Sequence, residues 1–195
     1  MKRALGKALL AAWAALTVLA IGSLGVTHTA AMPQPSKGER LIQAMLALKQ
    51  SPNETLVVHV IAAGCSCTDR LFAHLMERRP LAGAREVVVF AGEDPAKQSA
   101  AARAGFAFTG ISPEELAARF GLEAAPVLFV FDPAGRLRYA GGYYSHPATI
   151  FPQDEKIHAQ LLQGVTPEPL PVFGCAVSRN LQKAVDPLGI VYSKS

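Results

Sequence analysis

An uninterrupted run of β-branched and other apolar residues, Thr55 to Ala63 (TLVVHVIAA), leads straight into Gly64, Cys65, Ser66 and Cys67. A helical pattern marked by Leu71, Phe72, Leu75 and Met76 follows at once. A short run with no polar alternation predicts a strand buried on both faces, and such strands belong to sheets that carry helices on both sides. The junction therefore points to an α/β architecture and places two cysteines at the mouth of a helix.

The rest of the chain repeats the theme. Gly38 to Gln50 has near-helical apolar spacing and is broken at Ser51, Pro52 and Asn53. Glu86 to Ala91 predicts a second buried strand, and the Ala-rich stretch Pro95 to Ala104 a helix. Ser112, Pro113, Glu114 and Glu115 form a helix start, with the helix ending at Gly121. Val127 to Phe131 predicts a third strand, turned at Asp132 to Gly135 into a hairpin with Arg136 to Ala140. Pro152 to Leu162 predicts a helix, Pro167 to Pro171 a linker, and Cys175 to Val185 a last short helix. Alternating strands and helices imply parallel pairing, with one antiparallel hairpin added.

The chain has 195 residues, half of them apolar, and a net charge of +4. Much of the apolar excess lies between Ala8 and Val26, which holds no charged residue and follows Lys2, Arg3 and Lys7. As a helix at ~1.5 Å per residue this run approaches the ~30 Å of a bilayer core. Basic residues ahead of it keep the N-terminus in the cytoplasm and send the remainder across. The expectation is a signal or single-pass anchor over residues 1–31 in a bacterial inner membrane, with the soluble domain in the periplasm. The other positive charges form short clusters such as Arg78–Arg79, without an aromatic-interleaved basic stripe, which argues against nucleic acid as a partner.

Three cysteines leave at least one thiol without a partner inside the chain, which suits redox work better than a static framework. Ser66 and Asp69 have the spacing of a capping box, which would put Cys67 in the first helical turn. Amide dipoles at that position favour a thiolate, the nucleophile of thiol–disulfide exchange. One intervening residue makes Cys65–Cys67 a small ring, hence strained and oxidising if it closed. Cys175 also reads as lying at a helix start, and is either a resolving thiol or a small buried residue. His59, on the strand ahead of Cys65, is either a proton relay or a packed strand histidine.

Three segments resemble the thioredoxin-like superfamily, in particular its membrane-tethered periplasmic branch: the strand and cysteine-bearing helix from Thr55, the stretch Ala124-Ala125-Pro126-Val127 to Phe131, and the hairpin from Asp132 to Gly142. The resemblance covers Thr55 to Gly142 and departs from the family in having C-x-C in place of C-x-x-C. It implies a three-layer sandwich with a mixed central sheet. It also implies that Pro126 is a cis-proline beside the cysteines and that Ala125 offers backbone hydrogen bonds to a partner peptide. By family position Cys65 is the attacking thiol; by helix geometry Cys67 is better placed.

The expected organisation is an anchor (1–31), a spacer and first helix (32–54), a thioredoxin-like core (55–146) and a C-terminal helical extension (147–195). The expected function is thiol–disulfide exchange on protein thiols or disulfides outside the cytoplasm, through Cys65 and Cys67 with Cys175 as a candidate resolving thiol and no cofactor. The alternative is a soft-metal module, since paired thiolates on Cys65 and Cys67 suit Cu(I).

Overall fold

A computed structural model describes residues 2–187, 189, 191 and 192, with the side chains of 2–5 and 23–29 outside the description. The chain divides into two compact units, Met1–Ala30 and Ala31–Ser195. The first is helix α1 (Lys2–Thr29), whose side chains Leu9, Leu10, Trp13, Leu16, Val18, Leu19 and Ile21 are all exposed. Among the described residues no helix is long and apolar enough to cross a membrane. The side chains of Lys2, Arg3 and 23–26, which belong to the expected anchor, lie outside the described ones.

The second unit is built on a sheet ordered β3 (Ala107–Ile111), β2 (Ala84–Ala91), β1 (Thr55–Ala62), β5 (Val127–Phe131) and β6 (Leu137–Gly141). Strand β1 (Thr55–Ala62) lies at its centre and is buried at every residue after Thr55, which is why its sequence shows no polar alternation. It runs parallel to β2 (Ala84–Ala91), pairing His59 with Val88, and antiparallel to β5 (Val127–Phe131), pairing His59 with Leu128. Strand β6 (Leu137–Gly141) completes the predicted hairpin against β5.

Helix α2 (Glu39–Leu46) and α5 (Pro113–Phe120) cover one face, where Leu41, Met45, Leu116 and Phe120 meet Leu56, Val58 and Val60. Helix α3 (Ser66–Glu77), α4 (Pro95–Ala104) and α6 (Asp154–Leu162) cover the other, where Leu71, Leu75, Ala101 and Ile157 meet Val57, Ile61, Val88 and Phe90. The result is the expected three-layer sandwich with a mixed central sheet. Helix α5 starts as its sequence demands: Ser112 Oγ accepts from Glu115 N, Pro113 follows, and Gly121 closes it at φ +65°.

Two elements differ from expectation. Strand β3 (Ala107–Ile111) was not foreseen; it pairs parallel with β2 at the sheet edge, and two of its five residues are exposed, so it lacks an apolar run. The stretch from Cys175 is not one helix. Cys175–Ala176 form a two-residue strand, β7, antiparallel to β4 (Ala124–Ala125), and helix α7 begins only at Arg179, capped by Ser178 Oγ, and runs to Val185. Cys175 therefore does not lie at a helix start.

Candidate functional site

Strand β1 ends at Ala62, and Ala63 N still donates to Ala91 O at 2.9 Å. Gly64 turns the chain with φ +69°, a conformation glycine adopts without a Cβ penalty. Cys65 follows with extended angles (φ −114°, ψ 117°) as the N-cap residue of α3, and no side chain caps the helix. This corrects the expected capping box: Ser66 is the first helical residue, one position too late to cap. Asp69 does not reach back either; its Oδ1 lies 3.0 Å from Lys97 Nζ on α4. The anchoring residue missed in the sequence is Thr68. Its hydroxyl accepts the Ala62 amide at 3.1 Å and is almost fully buried, so the end of β1 and the first turn of α3 are fixed to each other.

The disulfide joins Cys65 to Cys175, with Cα atoms 6.0 Å apart and the two residues 110 positions apart in the chain. Cys67 is free and half-buried. The expected redox pair of neighbours, Cys65 and Cys67, is therefore not the bonded pair. Cys175 arrives instead on β7, held by β4: Ala125 pairs with Cys175, Ala124 with Ala176, and Glu123 O accepts from Val177 N at 2.6 Å and Ser178 N at 3.2 Å. The Ala125–Pro126 peptide bond is cis. Pro126 and Ala125 thus stand beside the disulfide, and the backbone edge they offer is occupied by the chain's own C-terminal segment.

That segment is seated closely. Met32 N donates to Val172 O, Gly142 N to Leu170 O, and Leu170 N to the Tyr139 hydroxyl. A Cβ on Gly142 would lie 1.9 Å from Pro171 O, and one on Gly174 would lie 2.0 Å from Ala125 O. Both glycines are needed because another backbone passes where a side chain would go. An open groove of about 580 Å³, lined by Gly64, Gly92, Pro113, Cys175, Val177 and Arg179 among others, lies on the Cys175 side of the bond. Cys65 is 1% exposed in the bonded state and Cys175 is half-buried.

His59 takes part in a different arrangement. It is fully buried, its Nδ1 2.8 Å from the Tyr143 hydroxyl and its Nε2 2.6 Å from Glu86 Oε2. Arg78 donates to both Glu86 oxygens and to Asp154 Oδ2, and His74 Nε2 lies 3.0 Å from Asp154 Oδ1. Burial opposes ionisation of Glu86, but His59 and Arg78 outweigh it and hold its pKa at about 2. Asp154 is likewise held well below the carboxylate range against the cost of burial, by His74, His59 and Arg78. None of the described partners of His59 is a cysteine: its ring is bound into an ionic cluster under α3 and α6, which accords with the packed strand histidine of the two readings and not with a relay to the thiols. Tyr144, whose buried hydroxyl has no hydrogen-bond partner among the described residues, has its pKa pushed to about 12 by burial and by the nearby Cys67.

The soft-metal alternative draws on the Cys65 and Cys67 sulfurs as thiolates, and in this structure the Cys65 sulfur is bonded to Cys175. Among the described residues no group of three His, Cys, Asp or Glu side chains is arranged to hold an ion.

Comparison with known families decides where the chain belongs. The family described as a domain of unknown function, DUF6436, matches residues 35–165. The chain is a member of the DUF6436 family. The DUF6436 match takes in Cys65, Cys67 and Pro126 and stops short of Cys175. A hypothetical protein from Sinorhizobium meliloti 1021 is 18% identical with a TM-score of 0.51, over 77% of this chain and 91% of that one. An uncharacterized conserved protein from Geobacillus kaustophilus is 21% identical with a TM-score of 0.50, over 65% and 77%. A thioredoxin-like protein solved in its oxidised form is 20% identical with a TM-score of 0.47, over 69% and 97%. Likeness at these identities concerns the fold. No curated protein matches.

Proposed function

We propose that this DUF6436 protein is a thiol–disulfide exchange protein acting on protein thiols, with Cys65 as the attacking cysteine and Cys175 as the resolving one. The observation that carries the reading is the Cys65–Cys175 bond itself, made at the N-cap of α3 against the backbone edge of β4. A disulfide built only to staple a fold has no need of a helix N-terminus, where amide dipoles favour the departing or attacking thiolate.

In the reducing direction the Cys65 thiolate attacks a partner disulfide. A Cys65–partner bond forms and the partner's other sulfur leaves as a thiolate that takes a proton from water. The Cys175 thiolate then attacks Cys65, the partner's second sulfur departs, and the Cys65–Cys175 bond remains. Two electrons have passed to the partner, and an external dithiol restores the protein by the reverse exchange. The same steps run backwards oxidise a partner dithiol.

The reading also includes an extracytoplasmic setting, with α1 as the tether. The uncharged apolar run behind Lys2, Arg3 and Lys7 supports it, as does the exposure of the large apolar side chains of α1.

The test is titration of the full chain in glutathione buffers, with alkylation and mass mapping of each cysteine. Cys65 and Cys175 should become protected together in one reversible two-electron transition while Cys67 stays alkylatable throughout. Cys67→Ser should leave that transition in place and Cys175→Ser should abolish it. A Cys65–Cys175 bond that survives every potential a thiol pool can reach would make it a structural staple and end the exchange reading.

A further inference from the structure

We infer that the Cys65 site takes partner cysteines in extended segments where glycine immediately precedes the cysteine, and that the chain's own Phe173–Val177 is a tethered occupant of that site. This rests on the exchange reading above and deepens it.

The segment has the attributes of a docked peptide. It is extended, it adds a strand antiparallel to β4, and its contacts on that edge are backbone hydrogen bonds to Glu123 plus the disulfide to Cys65. Strand addition of this kind takes its affinity from main-chain groups and its selectivity from the side-chain positions that face the edge. The match to the DUF6436 domain takes in Ala124 and Ala125 and ends at residue 165, ahead of the occupant.

Selectivity follows from Gly174. A Cβ there would stand 2.0 Å from Ala125 O, 2.6 Å from Ala125 C and 2.6 Å from Pro126 Cδ. Two of these atoms are backbone and the third is in a proline ring, so none swings aside as a flexible side chain would. Any partner that puts its sulfur where the Cys175 sulfur lies, with its backbone on Ala124–Ala125, meets the same obstruction. The site discriminates by exclusion, accepting Gly-Cys and refusing other residues before the cysteine.

The probe is a pair of heptapeptides, Val-Phe-Gly-Cys-Ala-Val-Ser and its Val-Phe-Ala-Cys-Ala-Val-Ser counterpart, with glutathione as reference thiol. The protein is the full chain carrying Cys67→Ser, Cys175→Ser and Gly174→Ala, which leaves Cys65 alone and pushes the tail off the edge. Cys65 is first converted to its mixed disulfide with thionitrobenzoate. Each peptide thiolate then forms a bond to the Cys65 sulfur and expels thionitrobenzoate, whose colour gives the rate. The Gly-Cys peptide should react on the order of tenfold faster than the Ala-Cys peptide, the scale one methylene commands at a fitted site. Restoring Gly174 should let the tail return and reduce that advantage.

Equal rates for the two peptides overturn the glycine inference and leave the exchange reading standing. No release by any thiol, glutathione included, overturns both. A readout that does not depend on peptides comes from Gly174→Ala in the otherwise unaltered chain. It should shift the Cys65–Cys175 equilibrium toward the dithiol by a comparable factor, and an unshifted equilibrium overturns the inference.

Discussion

Thr68 presents its hydroxyl to the Ala62 amide at the one place where β1 must hand the chain to α3 in fixed register. Replacing it with valine keeps the shape and leaves a buried N–H without an acceptor, a loss of about 1–3 kcal/mol. Thr68→Val should therefore lower the unfolding free energy of the full chain, read from urea titration, by that amount, whereas Thr68→Ser, which keeps the oxygen, should stay close to the parent. Equal losses for the two would show that the methyl group, and not the hydrogen bond, is what matters there. The sequence located this junction to within one residue but misread which residue ends the loop. The Ser66-x-x-Asp69 spacing is a local pattern, and two distant partners override it: Cys65 is held at the N-cap by its bond to Cys175, and Asp69 turns to Lys97. Neither partner can be read from the spacing.

At the scale of elements, the buried ionic cluster ties α3 (His74) and the Arg78 that caps its C-terminus to β1 (His59), β2 (Glu86) and α6 (Asp154). Only His59 stands out in the sequence as a candidate for chemistry, because its partners are scattered and each, Arg78 included, looks like an ordinary surface charge. For the same reason β3 and β7 escaped notice: a half-exposed edge strand and a two-residue strand carry no periodicity of their own. The central strands, the hairpin and the α4 and α5 boundaries were legible because burial and capping are written locally. The cluster sets the pH dependence. Glu86 and Asp154 have folded pKa values below their unfolded ones, so their contribution is present above the unfolded values and is lost as pH falls through the folded ones. Around pH 6.5 the histidines oppose each other. His74, raised by its bond to Asp154, favours the folded state below that pH, and His158, lowered by burial, favours it above. Urea midpoints should therefore fall steeply from about pH 4.5 toward pH 2. Glu86→Gln should be less stable at pH 7 and show a shallower acid slope; an unchanged slope would remove Glu86 from the explanation.

For the molecule as a whole, residues 31–195 form a compact unit without α1. A chain lacking residues 1–30 should keep the urea midpoint of the full protein, while only the full chain should stay with membranes through an alkaline wash. Membrane retention of the shortened chain would place the attachment elsewhere than α1. Within that unit the disulfide sets how firmly the tail is held. It spans 110 positions, and constraining a loop of that size in the unfolded chain is worth about 4–5 kcal/mol in the chain-entropy account. The tail has anchors of its own in the buried Val172, the Met32 bridge and the Tyr139 hydroxyl, and these persist when the bond is cut. Reduction should thus destabilise the chain strongly without unfolding it, and Cys175→Ser should reproduce the effect while Cys67→Ser should not. Amide hydrogen exchange should place the loss of protection at Val177 and Ser178, whose amides rest on Glu123 across the edge that reduction frees. If reduction leaves those amides as protected as before, the tail is held by packing alone, and the edge of β4 is not opened by cutting the bond.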